Sequence, residues 1–117
     1  MTVEVFYIDG CPNHEPTVER VKASLKDLGL AGEIVELPVS DPGLASTLRF
    51  LGSPTIHING LDVEPAARTA NQFGISCRTY LDASRRVGVP PVELIRQALL
   101  EACGQHGQRQ ADVIEIP

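Results

Sequence analysis

FYIDGCPNH, residues 6–14, marks the point where the first strand of this chain gives way to a helix. The residues that lead into it, from Val3 onward, are mostly β-branched or aromatic, and the Asp-Gly pair inside it is typical of a turn. Apolar residues recur at helical spacing after Thr17, and Gly29 follows them as a C-terminal stop. Cys11 is therefore predicted at or just ahead of a helix N-terminus, where unpaired N–H groups stabilise a thiolate.

The rest of the pattern predicts an α/β fold with the element order β-α-β-α-β-β-α. Residues 33–39 alternate polar and apolar side chains as a strand does, and residues 41–51 have an Asp-Pro start and helical spacing. An Asn-Gly pair between apolar runs makes residues 53–63 a hairpin, and Pro-Pro opens a last helix at Val92. Right-handed crossovers then favour a four-stranded mixed sheet flanked by helices on both faces.

An insertion separates this hairpin from the last helix, at residues 65–89. Residues 66–73 indicate one or two helical turns, and residues 77–81 indicate a strand or an extended loop. We expect residues 1–103 to form one domain. Residues 104–117 are expected to form a tail that is either flexible or contributes an added edge strand.

The composition argues against several classes of partner. The formal net charge is -5 and the basic residues are interleaved with acidic ones, which disfavours nucleic-acid binding. The apolar runs are far shorter than the roughly 20 residues that span a bilayer, and no secretory signal is apparent. Three cysteines are too few for a disulfide framework. We therefore expect a cytoplasmic protein without membrane or nucleic-acid partners, as a monomer or a homodimer.

Two short segments carry a resemblance to a known family: GCPNH at residues 10–14, after the first strand, and GSPT at residues 52–55, before the third. With this element order, the chain resembles the thioredoxin superfamily, and its hairpin resembles the glutaredoxin arrangement. The resemblance implies a thioredoxin-like fold in which Pro54 is cis and faces the active-site cysteine. At the position of the family's second cysteine this chain has His14.

The function that the resemblance implies is thiol-disulfide redox chemistry with Cys11 as the nucleophile, acting on a disulfide-containing protein or a small thiol. Cys77 is the first candidate for the resolving thiol, because the inserted segment is expected to fold over the sheet edge that carries the active site. Glutathione is the second candidate, as a co-substrate in the manner of a monothiol glutaredoxin. The backbone at Pro54 together with Thr55 would hold its peptide part, and Arg78 would pair with a carboxylate.

Some of these residues also have a purely structural interpretation. His14 either tunes the thiol of Cys11, as a cation or a general base, or is a solvated surface residue. Cys77 either resolves a disulfide or is a small buried hydrophobic residue. His57 alternates with two isoleucines and is predicted to be a hydrogen-bonded strand histidine.

Two other classes of function stay open. Cys11 and His14 have half of a zinc-like spacing, which Cys77 with His57 or Cys103 would have to complete. The two thiolates of Cys11 and Cys77 would alone suit a soft heavy metal such as Cu(I) or mercury. The other class is a binding module with no chemistry. No resident cofactor is predicted.

Overall fold

The main feature of the fold is a four-stranded mixed sheet. The computed structural model describes residues 1–114, with the side chains of residues 1–104. The strands lie in the order β2-β1-β3-β4, with β1 parallel to β2 and antiparallel to β3, and β3 antiparallel to β4. The mixed sheet expected from the sequence is confirmed. The strands are β1 (Thr2–Tyr7), β2 (Glu33–Pro38), β3 (Thr55–Ile58) and β4 (Leu61–Asp62).

Helices cover both faces of this sheet, as the crossover argument predicts. One core contains side chains of β1 and β3 together with Val21 of the first helix and Ile95 of the last. The second core joins Phe6 of β1 to Ala45 and Phe50, in and just after the second helix. No helix within the described residues is long and apolar enough to cross a membrane. The helices are α1 (His14–Leu28), α2 (Pro42–Leu48) and α3 (Val92–Ile114).

The insertion before α3 differs from the prediction. Its helical part is a single 3-10 turn, Pro65–Ala67, at the start of the range 66–73 for which the sequence indicated one or two turns. Further on, β5 (Tyr80–Asp82) pairs with β6 (Arg85–Val87) as a separate hairpin, whose second strand the sequence did not predict. The turn of this hairpin holds Ala83 at a φ of 56°. Alanine is uncommon in that conformation. Because the turn contains neither an Asn-Gly pair nor a glycine, the sequence carries no signal for a tight turn here.

The end of the chain also differs from the prediction. The backbone of α3 continues past Gly104 to Ile114, so residues 111–114 lie in a helix and not in an edge strand. Glycines cost a helix only about 1 kcal/mol each, and the Gln, Arg and Ala residues among them are good helix formers. Residues 115–117 lie outside the described part of the chain.

Candidate functional site

Cys11 lies in the turn that connects β1 to α1. Its N–H donates to the carbonyl of Ile8 at 3.0 Å, and its own carbonyl accepts from the N–H of His14 at 3.3 Å. Because α1 begins at His14 after the N-cap Asn13, Cys11 precedes the helix and is not part of its first turn. As in any helix, the first-turn N–H of Glu15 has no intrahelical acceptor, and the N-cap residue Asn13 makes no side-chain cap. The thiol is half-buried and free.

An open groove surrounds this thiol. Its polar lining includes the carboxylates of Asp9 and Glu15 and the ring of His14, and the described residues that line it include no lysine or arginine. A negatively charged substrate would therefore meet two carboxylates there and no lysine or arginine.

His14 is not the solvated surface residue that one interpretation of the sequence allowed. Its ring stacks on that of Tyr7, with centroids 3.6 Å apart and planes 6° from parallel. Its Nε2 lies 2.7 Å from Oε1 of Glu36, and the side chain is only 17% exposed. Contacts with β1 and β2 thus fix the imidazole at the start of α1, in the wall of the groove that contains Cys11. The role of His14 as a tuner of the thiol stays a prediction.

The loop before β3 lies next to the turn that contains Cys11. Its Ser53–Pro54 peptide bond is cis, as the sequence resemblance implied. The N–H of Ile8 donates to Oγ of Ser53 at 3.0 Å, while the carbonyl of Ile8 accepts from Cys11. The backbone N–H and carbonyl of Ile8 therefore join two segments. One is the turn at residues 8–13 that contains Cys11, which we call the cysteine turn, and the other is the loop at residues 49–54 before β3, which we call the proline loop.

Cys77 approaches this junction from the insertion. Cys77 pairs with Ser53 in an isolated parallel β-bridge. The bridge consists of Ser53 N–H donating to the carbonyl of Ser76 at 2.8 Å, and Arg78 N–H donating to the carbonyl of Ser53 at 3.0 Å. Cys77 is exposed and free, so its interpretation as a small buried hydrophobic residue is wrong. Hydrogen bonds thus connect the Cys77 segment, through Ser53 and Ile8, to Cys11.

Arg78 does not have the free, exposed side chain that the substrate-binding role suggested by the sequence requires. Its side chain is 6% exposed and forms a two-pronged ion pair with Asp62, at 2.8 and 2.9 Å. Glu64 accepts from the same guanidinium at 2.8 Å, and the group lies 4.5 Å from the ring centre of Tyr80. A guanidinium buried between two carboxylates is not available to the carboxylate of glutathione.

Thr55 is not free to bind a substrate either, for the same reason. Its hydroxyl is completely buried, donates to the carbonyl of Gly52 at 2.6 Å and accepts from Arg78 at 3.1 Å. Pro54 is also buried, and its carbonyl accepts the hydroxyl hydrogen of Tyr80. A buried polar cluster therefore holds the proline loop in place. The Thr55 hydroxyl and the Pro54 carbonyl, in the part of the chain that the sequence suggested for binding a peptide, are already hydrogen-bonded within the protein.

We call the side chains of Thr55, Asp62, Glu64, Arg78 and Tyr80 the buried cluster. Burial opposes the charge of Arg78, but its hydrogen bonds and charge interactions, led by Asp62, outweigh burial and raise the pKa of its guanidinium. Burial raises the pKa of Tyr80, so its hydroxyl keeps the proton that it donates to the proline loop. The sequence analysis missed Asp62, Glu64 and Tyr80. A carboxylate in the short apolar run Leu61–Val63 was the available signal, because it requires a buried partner.

The described residues contain no group of three or more His, Cys, Asp or Glu side chains that could hold a metal ion. The zinc site that Cys77 with His57 or Cys103 would have completed is therefore not formed. His57 is buried in β3, and Cys103 is half-buried in α3.

Comparison of the chain with protein-family models, with curated proteins and with solved structures gives no match.

Proposed function

We propose that this chain is a thioredoxin-like thiol-disulfide redox protein in which Cys11 is the nucleophile and Cys77 the resolving thiol. The observation that carries the proposal is the hydrogen-bonded junction at Ile8 and Ser53. It brings the cysteine turn, the proline loop and the Cys77 segment to one end of the sheet. An exposed second cysteine beside this junction replaces the one missing at position 14.

The reaction follows thiol-disulfide exchange. The Cys11 thiolate attacks one sulfur of a substrate disulfide, forms a mixed disulfide and releases the first substrate thiolate, which takes up a proton. The Cys77 thiolate then attacks Sγ of Cys11 and releases the second substrate thiol. The substrate gains two electrons, and the protein is left with a Cys11–Cys77 disulfide. A reducing thiol of the surroundings restores the two free cysteines.

The groove favours some substrates over others. Its charged lining is acidic, and Arg78 is occupied by Asp62 and Glu64. Glutathione, which carries two carboxylates, therefore lacks the clamp that the sequence suggested. We propose a disulfide-containing protein with neutral or basic residues beside its disulfide as the partner.

Three serine variants test this function with 2-hydroxyethyl disulfide as the substrate and dithiothreitol as the reductant. Cys11→Ser is expected to lose all turnover above the uncatalysed rate, because the attacking sulfur is gone. Treated with the disulfide alone, without dithiothreitol, Cys77→Ser is expected to keep a mixed disulfide on Cys11, which mass spectrometry detects as an added mercaptoethanol group. Cys103→Ser is the matched control and should behave as wild type, since Cys103 lies in α3 and forms none of the hydrogen bonds of the junction.

Each outcome separates the competing functions. Turnover that survives in Cys11→Ser would refute the nucleophile. If Cys77→Ser resolves its mixed disulfide as fast as wild type, the one-cysteine mechanism with an external thiol is correct. A wild-type protein without turnover would leave a binding module as the better function.

The acidic groove predicts a charge preference in the first step. At low ionic strength, wild-type Cys11 should react about tenfold faster with cystamine, a dication, than with the dianion of dithiodipropionate, and added salt should reduce the ratio. Single-turnover rates by mass spectrometry measure this, with 2-hydroxyethyl disulfide correcting for intrinsic reactivity. Glu15→Gln should lower the ratio, whereas Glu93→Gln, a change at an exposed residue of α3 that does not line the groove, should not. A faster dianion would restore glutathione as the favoured co-substrate.

A further inference from the structure

A second cavity lies on the sheet face that carries α2, outside the site around Cys11. It encloses about 300 Å³ including its open mouth, and Arg49, His57, Asp62, Arg68 and Phe73 are among its lining residues. It is formed where the insertion packs over the hairpin of β3 and β4.

His57 is the unusual member of this cavity. Its side chain is 8% exposed, yet the described residues offer its ring no hydrogen bond. The nearest carboxylate oxygen, Oδ2 of Asp62, is 3.9 Å from Nε2 and already accepts from Arg78. No fully buried side-chain nitrogen or oxygen of the described residues lacks a partner, so the ring nitrogens of His57 open onto the cavity. The hydrogen-bonded strand histidine predicted from the sequence is therefore wrong.

Arg49 gives the cavity its charge. Its guanidinium lies 5.1 Å from the ring centre of Phe73, and Nη2 donates to the carbonyls of Arg68 and Ala70, at 3.3 and 3.0 Å. Within the described residues, no carboxylate forms an ion pair with it. The other charges in the wall are compensated, because Arg68 is paired with Glu101 at 2.7 Å and Asp62 with Arg78.

We propose that this cavity binds a small oxyanion, such as sulfate or phosphate, between the guanidinium of Arg49 and the imidazole of His57. An arginine without a carboxylate partner supplies the positive charge, and a protonated imidazole supplies a charge-assisted hydrogen bond.

Binding is linked to proton uptake by His57. Burial lowers the pKa of the empty-site imidazole, Asp62 opposes this effect, and the charges of Arg78 and Arg49 add to it. A bound anion favours the cationic ring, so the complex holds a proton that the free protein lacks. Affinity for sulfate, whose charge is constant between about pH 5 and pH 8, should therefore rise as the pH falls, by up to about tenfold per unit.

The test is a sulfate titration of the folded chain, followed by NMR of the histidine rings at constant ionic strength with chloride as the balancing ion. We expect the His57 ring signals to shift saturably, with a dissociation constant below about 1 mM at pH 6, and to move little at pH 8. His14 is the internal control, because its ring is already bonded to Glu36. Phosphate and phenyl phosphate, titrated alongside, distinguish a free anion from a phosphoryl group on a larger molecule.

Variants separate this cavity from general anion binding. Arg49→Gln should weaken sulfate binding at least tenfold, whereas Arg85→Gln, an exposed arginine in β6, should leave it unchanged. Equal losses in the two variants, or parallel and unsaturable shifts of His57 and His14 in the wild type, would overturn the proposal. The wild-type comparison decides it even where Arg49→Gln fails to fold.

Discussion

Replacing Arg78 with alanine is expected to lower the free energy of unfolding by about 3–5 kcal/mol, which is a large part of the stability of a domain of this size. The change leaves Asp62, whose side chain is 4% exposed, as an unpaired charge in the interior, and it removes a partner of Glu64. It also empties the space beside the ring of Tyr80. Urea unfolding followed by circular dichroism measures the effect.

A matched control comes from the same part of the chain. Arg85→Ala removes an exposed arginine from β6 and should change the free energy of unfolding by no more than about 0.5 kcal/mol. The pair can be tested further with Asp62→Ala. Because the cost of each single change is mainly the orphaned partner, the double variant should lose much less than the sum. If Arg78→Ala is as stable as Arg85→Ala, the buried cluster does not support the fold.

The main sheet could be predicted from the sequence because its signals are local. The strand that runs into FYIDGCPNH, the Asn-Gly turn and the Asp-Pro helix start each depend on a few neighbouring residues. The insertion carries weaker signals. Its hairpin turns at Ala83, whose positive φ is imposed by the surrounding structure and not by the residue type.

Part of the candidate site could also be predicted, because some of its signals are local. Cys11 and Pro54 follow from short motifs next to predicted strands. The buried state of Arg78 depends on Asp62 and Glu64, which are 16 and 14 residues away in the sequence, and on a segment whose path the sequence did not define. Most arginine side chains in proteins are exposed, so substrate binding was the simpler interpretation of a single basic residue in the sequence. Only its tertiary partners show that it is structural.

Gly52 controls how closely the Cys77 segment can approach the proline loop. Its φ is 126°, a conformation that residues with a side chain rarely adopt. A Cβ at this position would lie 2.8 Å from Cβ of Arg78 and 3.1 Å from its backbone nitrogen. That nitrogen donates to the carbonyl of Ser53, so the clash falls on the bridge that joins the segment to the loop.

Gly52→Ala is therefore expected to cost about 2–4 kcal/mol of the free energy of unfolding, from backbone strain and overpacking together. Because the segment must move away to relieve the clash, oxidation should also form the Cys11–Cys77 disulfide about tenfold more slowly than in wild type. Urea unfolding and timed disulfide mapping measure the two effects. Gly74→Ala is the matched control, since a Cβ there meets no atom within 4 Å. If Gly52→Ala loses stability but forms the disulfide at the wild-type rate, the bridge at Ser53 is structural and does not position Cys77 for catalysis.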